Sequence, residues 1–97
     1  MNENIRDYLS RAEILAQLAE EASELAQAAL KLRRVLDRMN PTPVEYKDAY
    51  ANLVEEYSDV VCCMRELKVP YSMDIILKKK ARWLRRLKGE ETNEKVN

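Results

Sequence analysis

Two acidic pairs stand out for their chemistry: Glu21 with Glu24, and Glu56 with Asp59, each spaced i, i+3. On a helix that spacing puts both carboxylates of a pair on one face. If the two helices pack antiparallel, the four groups converge. Gathered anions raise one another's pKa and oppose burial. Divalent cations resolve the conflict, and ligands that are all carboxylates favour hard ions, Mg²⁺ or Mn²⁺, over Zn²⁺. Histidine is absent, so imidazole bases and imidazole ligands are excluded.

The elements that must position these pairs are amphipathic helices. Leu15, Leu18, Ala22, Leu25, Ala29, Leu32 and Leu36 recur at alternating steps of three and four, which predicts one apolar seam. Gln17, Glu21, Glu24, Ala28 and Lys31 run beside it as a second row. Downstream, Tyr50, Leu53, Tyr57, Val60, Met64 and Leu67 form another seam, flanked by Asn52, Glu56, Asp59, Cys63 and Glu66. Each acidic pair thus sits on the shoulder of a core-facing stripe. A merely solubilising charge belongs on the far side.

Helix boundaries follow from local chemistry. Ser10 with Glu13 reads as a capping box opening a helix that runs to about Met39. Asn40-Pro41-Thr42-Pro43 ends it, and Thr42 with Pro43 at the first position opens the next, to about Lys68. Val69-Pro70 breaks that helix, Ser72 caps a third from Met73 to Leu87, and Gly89 stops it. Residues 1–9 suggest a short helix with Ile5, Tyr8 and Leu9 as its apolar side. No strand pattern or repeat is present. The reading is an all-α helical bundle: one domain over residues 1–89 and a polar, disordered tail over 90–97.

Composition narrows the function. Lys plus Arg and Asp plus Glu each number 17, so bulk charge offers no attraction to nucleic acid or anionic membrane. No signal segment or 18-residue apolar run occurs, and adjacent Cys62 and Cys63 read as packing residues, so a cytoplasmic, reduced protein is expected. Lys79, Arg82 and Arg86 line up on the third helix, where a triphosphate held by metals would meet them. A solvated basic face near a helix C-terminus is the competing reading. Glu55 and Glu66 read as surface charges, and Tyr8, Tyr46, Tyr50, Tyr57 and Tyr71 as core or interface. Val60, Val61, Met64, Trp83 and Leu84 exceed what one small bundle hides, which predicts a homodimer or homotetramer.

Glu20-Glu21-x-x-Glu24 followed by Glu56-x-x-Asp59, with 31 residues between, resembles the EExxE…ExxD signature of the all-α nucleoside triphosphate pyrophosphohydrolases. The short, single-domain MazG-like members look closest, and the resemblance spans roughly residues 10–88. It implies a four-helix core completed by homodimerisation and hydrolysis of (d)NTP to (d)NMP and pyrophosphate in nucleotide-pool housecleaning. It also implies Mg²⁺, with Mn²⁺ as a substitute, on Glu21, Glu24, Glu56 and Asp59. Glu20 and Glu24 would serve catalysis, and Gln17, Lys31, Asn52, Lys79, Arg82 and Arg86 would contact the nucleotide. Many members carry an Asn among the basic residues of the later helix. Residues 78–88 have none, so sugar and base recognition do not carry over. The alternative reading is a non-catalytic helical assembly or adaptor on the same scaffold.

Overall fold

A computed structural model of the chain describes residues 3–37 and 44–90. A single 3-10 turn, Ile5–Asp7, precedes three helices: α1 (Arg11–Asp37), α2 (Tyr46–Leu67) and α3 (Met73–Leu87). There is no strand among the described residues.

Helix α1 starts where its cap chemistry places it. The Glu13 amide donates to Ser10 Oγ at 3.1 Å, and the Ser10 amide donates to Glu13 Oε1 at 2.7 Å. Two backbone donors that the first turn leaves orphaned are thereby satisfied. These bonds to Ser10 hold the Glu13 carboxyl below the usual carboxylate range. Helix α2 departs from expectation. It begins at Tyr46 rather than Pro43, and extended Glu45 flanks it without a side-chain cap. Thr42 and Pro43, the predicted cap and first residue, lie outside the described residues. So does Met39, the predicted end of the first helix.

The elbow between α2 and α3 is built from one unusual backbone angle. Lys68 adopts the left-handed conformation, φ 58°, that usually falls to glycine at a helix end. Its amide bonds to Arg65 O, and the Val69 amide bonds to Met64 O at 3.0 Å, closing the last turn. Pro70 prevents the helix from resuming. Ser72 Oγ then accepts from the Ile75 amide at 3.2 Å and opens α3 as predicted.

Helices α1 and α2 form an antiparallel hairpin. Ile14, near the start of α1, is buried with Cys63 and Leu67 near the end of α2, and Leu18 packs against them. The contact line on α1 passes through Ile14, Leu18, Glu21, Leu25, Ala28 and Leu32. On α2 it passes through Ala49, Leu53, Glu56, Val60, Cys63 and Leu67. This corrects the predicted seams. Leu15, Ala22, Ala29 and Leu36 face outward, as do Tyr50 and Tyr57. The rows expected on the shoulder supply part of the contact. A helix stripe at least ~100° wide exceeds what one neighbouring helix covers, so α2 takes one edge of the α1 stripe and leaves the other. None of the five tyrosines is buried; Tyr46 and Tyr50 stack with their rings 6.0 Å apart. Helix α3 barely touches the hairpin and has no buried residue.

Two substitutions test these termini by urea unfolding. Ser10→Ala removes the cap acceptor and lowers stability by about 1 kcal/mol. Lys68→Gly relieves the left-handed backbone and raises stability by roughly 0.5–1 kcal/mol, the unfolded-state entropy of glycine offsetting part of the gain.

Candidate metal centre

The antiparallel register decides what meets at mid-height. With Ile14 level with Cys63 and Leu67, Glu21 comes level with Glu56 and Asp59. One carboxylate oxygen from each of these three lies within 4.8 Å of the others, and all three side chains are half-buried between the helices. One comes from α1 and two, a turn apart, from α2, so the set exists only when the hairpin is closed.

The electrostatics show the strain of this arrangement. Partial burial pushes the Glu56 carboxyl above the usual carboxylate range, and the charges of Asp59, Glu24, Glu55 and Glu21 push it the same way. No Lys or Arg ion pair shown among the described residues involves any of the three; Arg33 pairs with Asp37 and Lys78 with Asp74. Gln17 gives partial relief. Its side-chain amide donates to Glu21 Oε2 at 2.6 Å and, at the long limit of 3.4 Å, to Glu20 Oε1. Gln17, predicted to contact nucleotide, is therefore the group that holds Glu21 in place. A compact set of half-buried carboxylates on two helices could hold a metal ion, whose charge would offset theirs.

Two clefts flank the set. On one side lies a cleft of about 340 Å³ lined by Glu24, Gln27, Lys31, Arg34, Asn52 and Glu56. Glu24 is exposed at this edge and stands outside the compact group of three. Lys31 and Asn52 share the cleft with Glu56, as their rows suggested. On the other side Ile5, Leu9, Ile14, Gln17, Cys62 and Cys63 line a more apolar cleft of about 330 Å³ that reaches Glu21 and Asp59. Each is near the lower limit for small-molecule sites. The predicted residues Glu20, Lys79, Arg82 and Arg86 are exposed and line neither cleft; the last three ride on α3, away from the hairpin.

Some contributors escaped sequence reasoning. Arg34 sits one turn beyond Lys31, so extending the polar row by three residues finds it. Ile5 and Leu9 carried no such signal, because a long-range contact brings them in. The Ile5 amide donates to Glu66 Oε1 at 3.2 Å, which makes half-buried Glu66 an anchor for the N-terminal turn rather than a free surface charge. Burial raises the Cys63 thiol pKa, with Cys62, Glu21 and Asp59 adding to the shift, so Cys63 packs as a neutral thiol. Cys62 is exposed. No protein-family model, curated protein or solved structure matches this chain.

The Glu56 shift has a measurable sign. Its carboxyl binds a proton more tightly folded than unfolded, so its contribution to stability is full at low pH. That contribution is lost as pH rises from the ordinary carboxylate value through the raised one. Metal-free protein should therefore lose stability relative to Glu56→Gln across this window, then hold a constant difference. Thermal melts of both proteins in chelator, at a series of pH values, check this.

Proposed function

We propose that this chain is a Mg²⁺-dependent nucleoside triphosphate pyrophosphohydrolase of the MazG-like kind, converting (d)NTP to (d)NMP and pyrophosphate. The observation that carries the reading is the convergence of Glu21, Glu56 and Asp59 from two helices, beside a cleft that holds Lys31 and Arg34. The same acidic residues make up the core of the EExxE…ExxD pattern.

In this reading Glu21, Glu56 and Asp59 hold the cation, and Glu24 joins them from the cleft edge. Bound Mg²⁺, or Mn²⁺ in its place, would neutralise phosphate charge and lower the pKa of coordinated water. Gln17 keeps the Glu21 carboxylate oriented by its short hydrogen bond. Lys31 and Arg34 donate to phosphate oxygens and stabilise charge that grows as the phosphoanhydride breaks. Asn52 offers an amide to the nucleotide. Glu24 or Glu20 positions the water that attacks the α-phosphorus, and no side chain becomes covalently attached. The housecleaning role and the four-helix core completed by homodimerisation, or in a homotetramer, belong to the same reading. Lys79, Arg82 and Arg86 then join from α3 in the assembled form.

One observation favours a second reading, a non-catalytic assembly or adaptor protein: α3 has no buried residue and barely touches the hairpin. Pyrophosphate release from a panel of ribo- and deoxyribonucleoside triphosphates, with Mg²⁺, Mn²⁺ or chelator, separates the two. Metal-dependent release supports the enzyme. No release from any nucleotide by the folded protein favours the adaptor. Glu56→Gln should reduce turnover by about 100-fold or more while helicity is kept. If activity survives that change, the ligand assignment is wrong. Gln17→Ala should weaken the apparent Mg²⁺ affinity by about 10–100-fold and leave the nucleotide KM at saturating Mg²⁺ unchanged. A raised KM with normal Mg²⁺ dependence would instead make Gln17 a nucleotide contact.

A further inference from the structure

The N-terminal turn and the end of α2 also bound a polar cleft of about 340 Å³, and Glu66 lines both it and the apolar cleft described above. Its lining is Asn4, Arg6 and Asp7 from the turn, and Arg65, Glu66 and Lys68 from α2 and its cap. The two carboxylates are engaged by backbone. Asp7 Oδ2 accepts from the Asn4 amide at 3.0 Å, and Glu66 Oε1 accepts from the Ile5 amide at 3.2 Å. No ion pair shown among the described residues involves Arg6, Arg65 or Lys68. Arg65 stands at a rim shared with an open, mostly apolar groove of about 830 Å³ on α2, lined also by Tyr57, Val60, Met64 and Tyr71.

A basic residue at a helix C-terminus ordinarily serves the free carbonyls there. At α2 the carbonyls of Met64, Arg65 and Leu67 are already served. The Lys68 amide bonds to Arg65 O and the Val69 amide to Met64 O, each at 3.0 Å, and Arg11 Nη1 donates to Leu67 O at 3.4 Å. The side chains of Arg65 and Lys68 are not needed for that purpose. The backbone of Lys68 makes a second, independent argument. It is the only non-glycine residue with positive φ among the described residues. Glycine would hold that angle without strain. A lysine there costs stability, and strain of this kind marks positions whose side chain has a use.

We propose that this cleft binds a phosphate group, held by Arg6, Arg65 and Lys68. The site goes beyond the hydrolase reading. No member of the carboxylate set lines it, and Arg65 lies six residues past Asp59, roughly 9 Å further along the helix axis. Two guanidinium forks match the oxygens of a phosphate, and the lysine adds a point charge. Three cations against two carboxylates leave the cleft a charge of only +1. Recognition therefore rests on the guanidinium hydrogen bonds more than on bulk attraction. Because the cations come from two segments, a bound phosphate ties the N-terminal turn to α2, alongside the hydrogen bond from the Ile5 amide to Glu66.

The test uses metal-free, full-length protein, so that no cation draws phosphate to Glu21, Glu56 and Asp59. Inorganic phosphate and a nucleoside monophosphate are titrated separately into isotope-labelled protein, with ionic strength held constant by chloride, and amide shifts are followed by NMR. Saturable shifts centred on residues 4–7 and 65–68 are expected. Saturation by inorganic phosphate shows that the free anion suffices. Saturation by the monophosphate alone assigns the cleft to a phosphate ester. Arg6→Ala, Arg65→Ala and Lys68→Gly change exposed positions, so helicity should be kept. Each should weaken binding about 10-fold or more. Lys68→Gly should do so while melting above wild type, which separates a lost ligand contact from a damaged fold. Unchanged affinity in Arg6→Ala and Arg65→Ala overturns the proposal, and so do shifts that never saturate. Shifts centred on Lys31, Arg34 and Asn52 overturn it too, and leave the hydrolase reading standing. None of these readouts depends on nucleotide hydrolysis.

Discussion

Two carboxylates, Glu21 and Glu56, occupy the line along which α1 and α2 touch, and Asp59 stands beside them. Glu21, Glu56 and Asp59 stand where a hairpin of this size would gain most from apolar contact, and they cannot all be charged there without cost. The rest of the hairpin is arranged around that conflict. Its well-packed core retreats to the open end, where Ile14, Cys63 and Leu67 are buried, and small Ala28 and Ala49 are buried toward the other. Gln17 braces one carboxylate, and Glu66 is used to tie down the N-terminal turn. Stability is given up at mid-hairpin, a place where a protein without use for clustered anions would carry leucine.

A second constraint follows from size. Two helices cannot cover the full apolar stripe of either one, and the third helix does not help within the chain. The outer strip of α1, the groove on α2 and the apolar side of α3 all remain open. Such surface in a small helical chain is the ordinary sign of an interface. The acidic site and the open surfaces meet on α2, whose face toward α1 carries Glu56 and Asp59, with Val60 at the edge it shares with the groove.

Much of the local structure was legible in the residues. The capping box at Ser10, the break at Val69-Pro70 and the Ser72 cap each depend on contacts within a few positions, and the structure places them as read. The start of α2 was misplaced, because proline and threonine before a helix mark a region rather than a residue. The seams were misassigned by a fraction of a turn. Neighbouring rows on a helix share the same three-and-four spacing, so Leu15 and Ile14 look alike until a partner helix chooses between them. Of the four carboxylates paired by spacing, Glu21, Glu56 and Asp59 meet, while Glu24 stays at the rim.

What the sequence by itself determined is the set of helices, the start of α1, the break between α2 and α3 and the acidic pairs they carry, because capping, proline geometry and i, i+3 spacing act over one or two turns. Only the tertiary structure decided which edge of each stripe makes the hairpin. Only it brought Ile5 and Arg34 to opposite sides of the carboxylates and left α3 uncovered. Those outcomes depend on antiparallel register and on the limited surface two helices can share, and neither quantity is local to any stretch of the chain.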